Sequence, residues 1–205
     1  NLKKLFKKYI KIKKIFLDNA NKFQKKHFIK EKVLGVHFRG TSMRNLPNHP
    51  MPPTPKQMFF IIDKLLKKKK FTKIFLVTDQ QDYLDLFKKK YNNILCYRNS
   101  FRSNKSRIFH LTTRKNHRYE MGRDALEEMI LFSKLKYLVC STSNVSQVSV
   151  MISKNATNVF EICNKMNSKR IIVSQFLWYI KKNLPHFLGG FDNKLKIQFK
   201  KLKYN

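Results

Sequence analysis

The chain has 205 residues, is 42% hydrophobic and carries 18 Phe, enough to bury one sizeable core, which excludes an intrinsically disordered polypeptide. Its formal net charge is +33, from 45 Lys and Arg against 12 Asp and Glu, and 36 of the 45 are Lys. The Lys fall in runs such as Lys67–Lys70 and Lys88–Lys90, without interleaved stacking aromatics or Gly-rich loops. That pattern reads as solvated helix faces and makes nucleic acid an unfavoured partner, while leaving attraction to an anionic membrane surface open.

Residues 1–30 read as one basic amphipathic helix, with Leu2, Leu5, Phe6, Tyr9, Ile12 and Phe16 on one face. Packing against an upstream domain and lying on a membrane both suit such a helix, and packing is favoured. The pattern then alternates. Val33–Phe38 is a short apolar strand, followed by a loop rich in Pro between Pro47 and Pro55. Lys56–Lys70 is a helix, Lys73–Thr78 a strand, Asp82–Tyr91 a helix and Ile94–Tyr97 a third strand. Asn99–Tyr119 is polar and irregular, so a loop is expected. Arg123–Phe132 is a helix, Tyr137–Cys140 a strand, Ser146–Ser153 a helix, Val159–Ile162 a last strand and Gln175–Lys182 a last helix. A basic tail, residues 183–205, follows.

Short strands separated by helices imply a parallel sheet with helices on both faces, and right-handed crossovers put every strand end on one edge. The expectation is an α/β, Rossmann-like domain over residues 31–182. GxGxxG and GxxxxGK[ST] are both absent, which removes the dinucleotide and P-loop readings. Cys96, Cys140 and Cys163 are far apart and form no CxxC pair, so no disulfide framework and no metal site is expected, and the natural setting is reducing and cytoplasmic. No apolar run reaches the roughly 18 residues of a membrane span, and no signal peptide is visible.

Three strand ends carry polar groups toward that edge. The first offers His37, Arg39, Gly40 and Thr41, the second Thr78 and Asp79, the third Ser141 to Ser146 just before a helix. Ligands of open α/β sheets collect at this edge, and Arg pairs with phosphate in a planar, two-pronged way that Lys cannot copy. A helix start with free N–H groups and hydroxyls suits a phosphate or ribose, although capping alone accounts for some of the Ser and Thr there. On the helix near Gly122, Asp124 reads as a first-turn acid and Glu127 as a solvated one, while Glu128 can accept hydrogen bonds from a base.

His37-Phe38-Arg39-Gly40-Thr41 resembles the H-x-R-x-T-D motif of the fucosyltransferase superfamily, which spans α1,6-, nodulation and protein O-fucosyltransferases. Ile74 to Asp79 resembles its second motif, and Asp124–Glu128 through Leu138–Ser146 its third, in the same order. The match covers residues 31 to 165. It implies the C-terminal, nucleotide-sugar-binding domain of a GT-B enzyme, with GDP-fucose as donor, inversion at the sugar and no metal or other cofactor. It also implies that Arg39 holds the donor β-phosphate, that His37, Gly40, Thr41 and Asp79 flank it, that Glu128 reads guanine, and that Ser143, Asn144 and Ser146 contact phosphate or ribose. Two departures stand out. The motif's aspartate is Ser42 here, so the base for a glycan or other hydroxyl acceptor is unassigned, with His49 and Asp79 as chemical candidates. Only about thirty residues precede the match, where related enzymes carry an upstream domain; a non-catalytic basic binding protein on the same fold is the rival reading.

Overall fold

The computed structural model describes residues 2–105, 108–111, 114–154, 157–195 and 200–202. Five parallel strands and one antiparallel strand form a single sheet in the order β3-β2-β1-β4-β5-β6. These are β1 Val33–His37, β2 Lys73–Val77, β3 Leu95–Tyr97, β4 Tyr137–Ser141, β5 Thr157–Ile162 and β6 Lys200–Leu202. The chain lays β1 in the middle, builds outward through β2 to β3, then crosses back to place β4 on the other flank of β1. That reversal makes the C-terminal ends of β1 and β4 the topological switch point, the edge where ligands of open α/β sheets collect.

Alternation along the strands sends residues to two cores. Leu34, Val36, Ile74, Leu76 and Val139 face one layer, made by α3 (Pro55–Lys69) and α4 (Gln81–Tyr91) through Met58, Ile61, Leu65, Leu84 and Phe87. Phe75, Val77, Leu138 and Cys140 face the other, made by α2 (Lys14–His27), α5 (His117–Ser133) and α6 (Asn144–Ile152) through Ala20, Leu131, Phe132 and Val150. Strands buried on both faces read as the continuous apolar runs seen in the sequence. Gly35 in β1 leaves room for side chains of β4 and of the turn before it: a Cβ there would lie 2.5 Å from Leu138 and 2.8 Å from Leu135. Thr54 and Gln57 close a reciprocal capping box at the start of α3, which ends the Pro-rich loop sharply.

Several expected elements differ. Residues 1–30 form two helices, α1 (Leu2–Tyr9) and α2, and not one. Phe16, Leu17 and Phe23 pack with buried Ala20 against the α5 side of the sheet, so α2 belongs to the same body as the strands. α5 starts well before Arg123. His117 is buried and its ring holds the carbonyl of Ile108 at 2.8 Å, a tertiary anchor that the polar sequence His117–Glu120 does not advertise by periodicity. Asp124 is consequently mid-helix and not in a first turn. α7 (Ile171–Asn183) is longer than Gln175–Lys182. The basic tail folds back: Phe191 joins Met51 and Trp178 in a small third cluster, and β6 pairs with β5. Cys96, Cys140 and Cys163 form no disulfide with one another.

Candidate active site

The ends of β1 and β2, the loop after β3, and the faces of α5 and α6 border one open crevice. His37, Arg39, Thr78 and Asp79 form its strand-end wall; Asp124, Ala125 and Glu128 form its helix wall, with Ser100, Phe101, Met121 and Val145 completing it. Thus four predicted site residues, His37, Arg39, Asp79 and Glu128, meet in one place.

Arg39 is half-buried, and its Nε meets Asp79 Oδ2 at 3.4 Å. Asp79 therefore orients the guanidinium, and a carboxylate at that distance is no substitute for a bound phosphate, which takes Arg through a two-pronged fork. Phe38, between the two polar residues, turns to the opposite layer and stacks on Tyr83 at 3.7 Å, which fixes how His37 and Arg39 emerge. His37 is buried, and among the described residues its Nδ1 has no hydrogen-bond partner. Burial, with Arg39 adding to it, pushes its pKa down to about 3, so the ring is neutral at physiological pH. A neutral, pocket-lining imidazole with an unsatisfied buried nitrogen is an incomplete site, since such atoms are rarely left without a partner.

Gly40 is required by packing. A Cβ would lie 2.1 Å from Gln80 Oε1, 2.7 Å from Tyr83 and 3.0 Å from Arg44. These groups cannot step aside cheaply, because Arg44 Nη2 donates to both Gln80 Oε1 (2.6 Å) and the Tyr83 hydroxyl (2.7 Å). Gly40→Ala is expected to cost about 1–3 kcal/mol through overpacking, read as a lower urea midpoint at unchanged slope. Thr41 opens a 3-10 turn over Thr41–Arg44; the side chains of Thr41 and Ser42 lie outside the described residues.

Glu128 is 7% exposed and accepts a hydrogen bond from Ser100 Oγ at 2.7 Å. Burial raises its pKa to about 7, against the Ser100 bond and the charges of Arg98 and Arg102, which pull it down. Glu127, expected as a solvated acid, is buried; it pairs with Arg98 and accepts from Asn19 at 2.8 Å, tying α2 to α5. Neighbouring carboxylates on α5 thus have separate tasks: one is neutralised structurally, the other faces the crevice.

The third strand end behaves differently. Ser143 caps α6, its Oγ accepting from Val145 N–H at 3.2 Å, and Ser146 Oγ donates back to the Ser143 carbonyl at 2.8 Å. Asn144 is exposed. Of this segment it is Val145 that lines the crevice, while the serine hydroxyls serve the cap. His49 sits elsewhere: its loop is pinned to residues 165–168 through Asn167 N–H to His49 O (2.8 Å), and its ring lies 3.1 Å from Pro50 O, outside the crevice lining.

The sequence indicates a loop over Asn99–Tyr119 but none of its residues was expected in the site, and Ser100 and Phe101 line the crevice. Ser103 N–H donates to Asp79 O (3.1 Å), Asn104 and Asp82 exchange two bonds (2.6 and 2.8 Å), and Arg102 donates to the carbonyls of Ser100 and Arg98. This ordering presents Ser100 to Glu128 and Phe101 to the crevice. Its position directly after a strand end, with Phe101 between two arginines, was the available signal.

The fold is that of the fucosyltransferase-like GT-B proteins. A NodZ α-1,6-fucosyltransferase crystallised with GDP is similar over 78% of this chain at 16% identity and TM-score 0.53, and one soaked with GDP-fucose over 80% at 14% and 0.50. POFUT1 in complex with GDP is similar over 76% at 12% and 0.51. The chain spans about half the length of these proteins, covering 47%, 51% and 48% of them. No protein-family model matches the sequence, and no curated protein matches it significantly.

Proposed function

We propose that the crevice binds the nucleoside diphosphate of a GDP-sugar, and that the chain is the donor-binding part of an inverting, metal-independent glycosyltransferase that moves fucose from GDP-fucose to a hydroxyl of a glycan or another acceptor. The observation that carries this is the joining, in one crevice, of an oriented guanidinium, an unsatisfied neutral imidazole and a buried titratable carboxylate. Arg39 suits a diphosphate, Glu128 suits the N1–H and 2-amino donors of guanine, and Val77, Phe101, Met121 and Val145 supply apolar surface for a ring. The solved neighbours with bound GDP or GDP-fucose support the same ligand class.

In the proposed reaction the acceptor oxygen forms a bond to the sugar anomeric carbon from the face opposite the diphosphate, its proton passes to a base, and the bond from that carbon to the phosphate oxygen breaks, releasing GDP. Negative charge grows on the departing phosphate. A guanidinium fixed by Asp79 stabilises that charge more in the transition state than in the ground state, which is the requirement for acceleration. The neutral His37 can donate a hydrogen bond to the same phosphates without adding a second cation beside Arg39.

A non-catalytic binding protein is the second reading, favoured by Ser42 standing where the resembling motif has an acid. The two separate on turnover. Radiolabelled GDP-fucose incubated with the protein and a panel of glycan acceptors is expected to release GDP above the buffer rate, with release lost in Arg39→Ala. Tight GDP binding with no release on any acceptor favours the binding protein.

A further inference from the structure

We infer that α7 and the turn after it form a surface that docks on an anionic lipid bilayer, independently of the donor crevice. α7 is amphipathic in the wrong sense for a solvated helix. Its inward stripe is Ser174, Leu177 and Trp178, with Trp178 fully buried, while the outward face carries Ile172, Phe176 and Ile180, and Tyr179 borders it with its hydroxyl bonded to Arg44. Ile172 is 77% exposed and Phe176 58%. Spacings of four and eight residues from Ile172 put Phe176 and Ile180 on the same side of the helix. Scattered exposed apolar residues need no explanation, but a contiguous face of them marks an interaction surface.

The following turn extends the same surface and is built to do so. Phe187, 84% exposed, and Leu188, 59% exposed, sit in a 3-10 turn over His186–Leu188. Gly189 then takes φ 87°, and a Cβ on Gly190 would lie 1.9 Å from the Leu184 carbonyl, so both glycines are needed for the chain to double back. Gly190 N–H donates to Pro185 O (3.0 Å), Phe191 N–H to Lys181 O (3.1 Å) and Lys181 Nζ to Gly189 O (2.7 Å). Two aromatic and aliphatic side chains are thus held outward on an ordered turn and not on a loose tail.

Charge selects the occupant. Between Ile162 and Phe191 the sequence has five Lys and Arg and no Asp or Glu. Lys165, Lys169, Arg170 and Lys182 are exposed within the segment that carries the apolar face. An apolar face in a cationic segment is the pattern of a helix lying in a bilayer interface, where each cation adds attraction to anionic headgroups. A second copy of a chain with net charge +33 would bring like charge against that segment. α7 has 13 residues, and among the described residues no helix is long and apolar enough to cross a membrane, so the contact is interfacial.

The test is sedimentation of the full chain with vesicles of phosphatidylcholine and phosphatidylglycerol, in 0.1 M and 0.5 M NaCl. Lysines elsewhere supply salt-sensitive adsorption, so the apolar contribution is read at 0.5 M, where exposed charges are screened beyond a few ångströms. The expected result is binding to mixed vesicles that persists at 0.5 M NaCl and falls at least tenfold in Ile172→Ser/Phe176→Ser/Phe187→Ser. All three positions are exposed, and Phe187→Ser alone, expected to lower binding about threefold, serves if the triple variant melts early. Binding that vanishes at 0.5 M NaCl in the wild type, or equal binding by the variants, overturns the proposal. So does a wild-type dimer in gel filtration that the substitutions dissociate.

Discussion

Arg39→Ala is expected to lower GDP affinity by about ten- to a hundredfold while leaving the fold intact. A charge-assisted bond is worth roughly 1.5–3 kcal/mol, which sets that range. Arg39 is partly exposed and its ion pair to Asp79, at 3.4 Å, lies near the surface, so its removal changes stability by less than about 1 kcal/mol. If the protein transfers sugar, turnover falls further than affinity, by about two to three powers of ten, because the charge on the departing phosphate is largest in the transition state. Arg39→Lys restores little, since an ammonium cannot reproduce the planar fork. Calorimetry for binding and urea melts for stability separate the two effects in one set of variants. A variant that binds GDP as the wild type does removes Arg39 from the site.

Glu128→Gln is expected to raise stability and lower GDP binding together. Burial lifts the folded-state pKa of Glu128 from its ordinary 4.5 to about 7, so between those values the native state holds a proton that the unfolded chain has lost. The contribution of this group to stability is therefore greatest below pH 4.5, declines as pH rises through 7, and stays at its low level above. A difference of about 2.5 units corresponds to about 3 kcal/mol. The glutamine amide oxygen can still accept from Ser100 Oγ, so the variant escapes this loss and is about 2–3 kcal/mol more stable at pH 8, with a flatter profile. Guanine, in contrast, offers two donors and selects the ionised carboxylate. Wild-type GDP affinity is thus expected to fall up to about tenfold per pH unit below 7, and inosine diphosphate, which lacks the 2-amino group, to bind more weakly at pH 8. Stability gained where binding is lost is the signature of a buried group kept for its ligand. A Gln variant that is less stable at every pH would instead make Glu128 a structural residue.

The sheet was legible because its strands are short, apolar and spaced by helices of the right length, and because both faces are covered. The strand-end wall was legible for the same reason: a strand's last residues fix where polar groups emerge, and His37, Arg39 and Asp79 follow directly from that. What escaped depended on contacts distant in sequence. Glu127 looked solvated because its partners, Arg98 and Asn19, lie on other elements. The first turns of α5 are held by buried His117 and not by apolar periodicity. Ser143 and Ser146 serve the cap of α6, a task that takes the same residue types as a ligand contact, so sequence alone does not separate the two. β6 is a basic segment at the sheet edge, where one neighbour supplies the pairing and an apolar run is not needed.

Calorimetric titration of the wild-type chain with GDP, beside ADP and UDP at pH 8, tests the central claim most directly. Binding of GDP with one site per chain, at least tenfold tighter than ADP or UDP and lost in Arg39→Ala, is the predicted result. No GDP binding by a folded preparation, or equal binding of all three nucleotides, contradicts the assignment of the crevice.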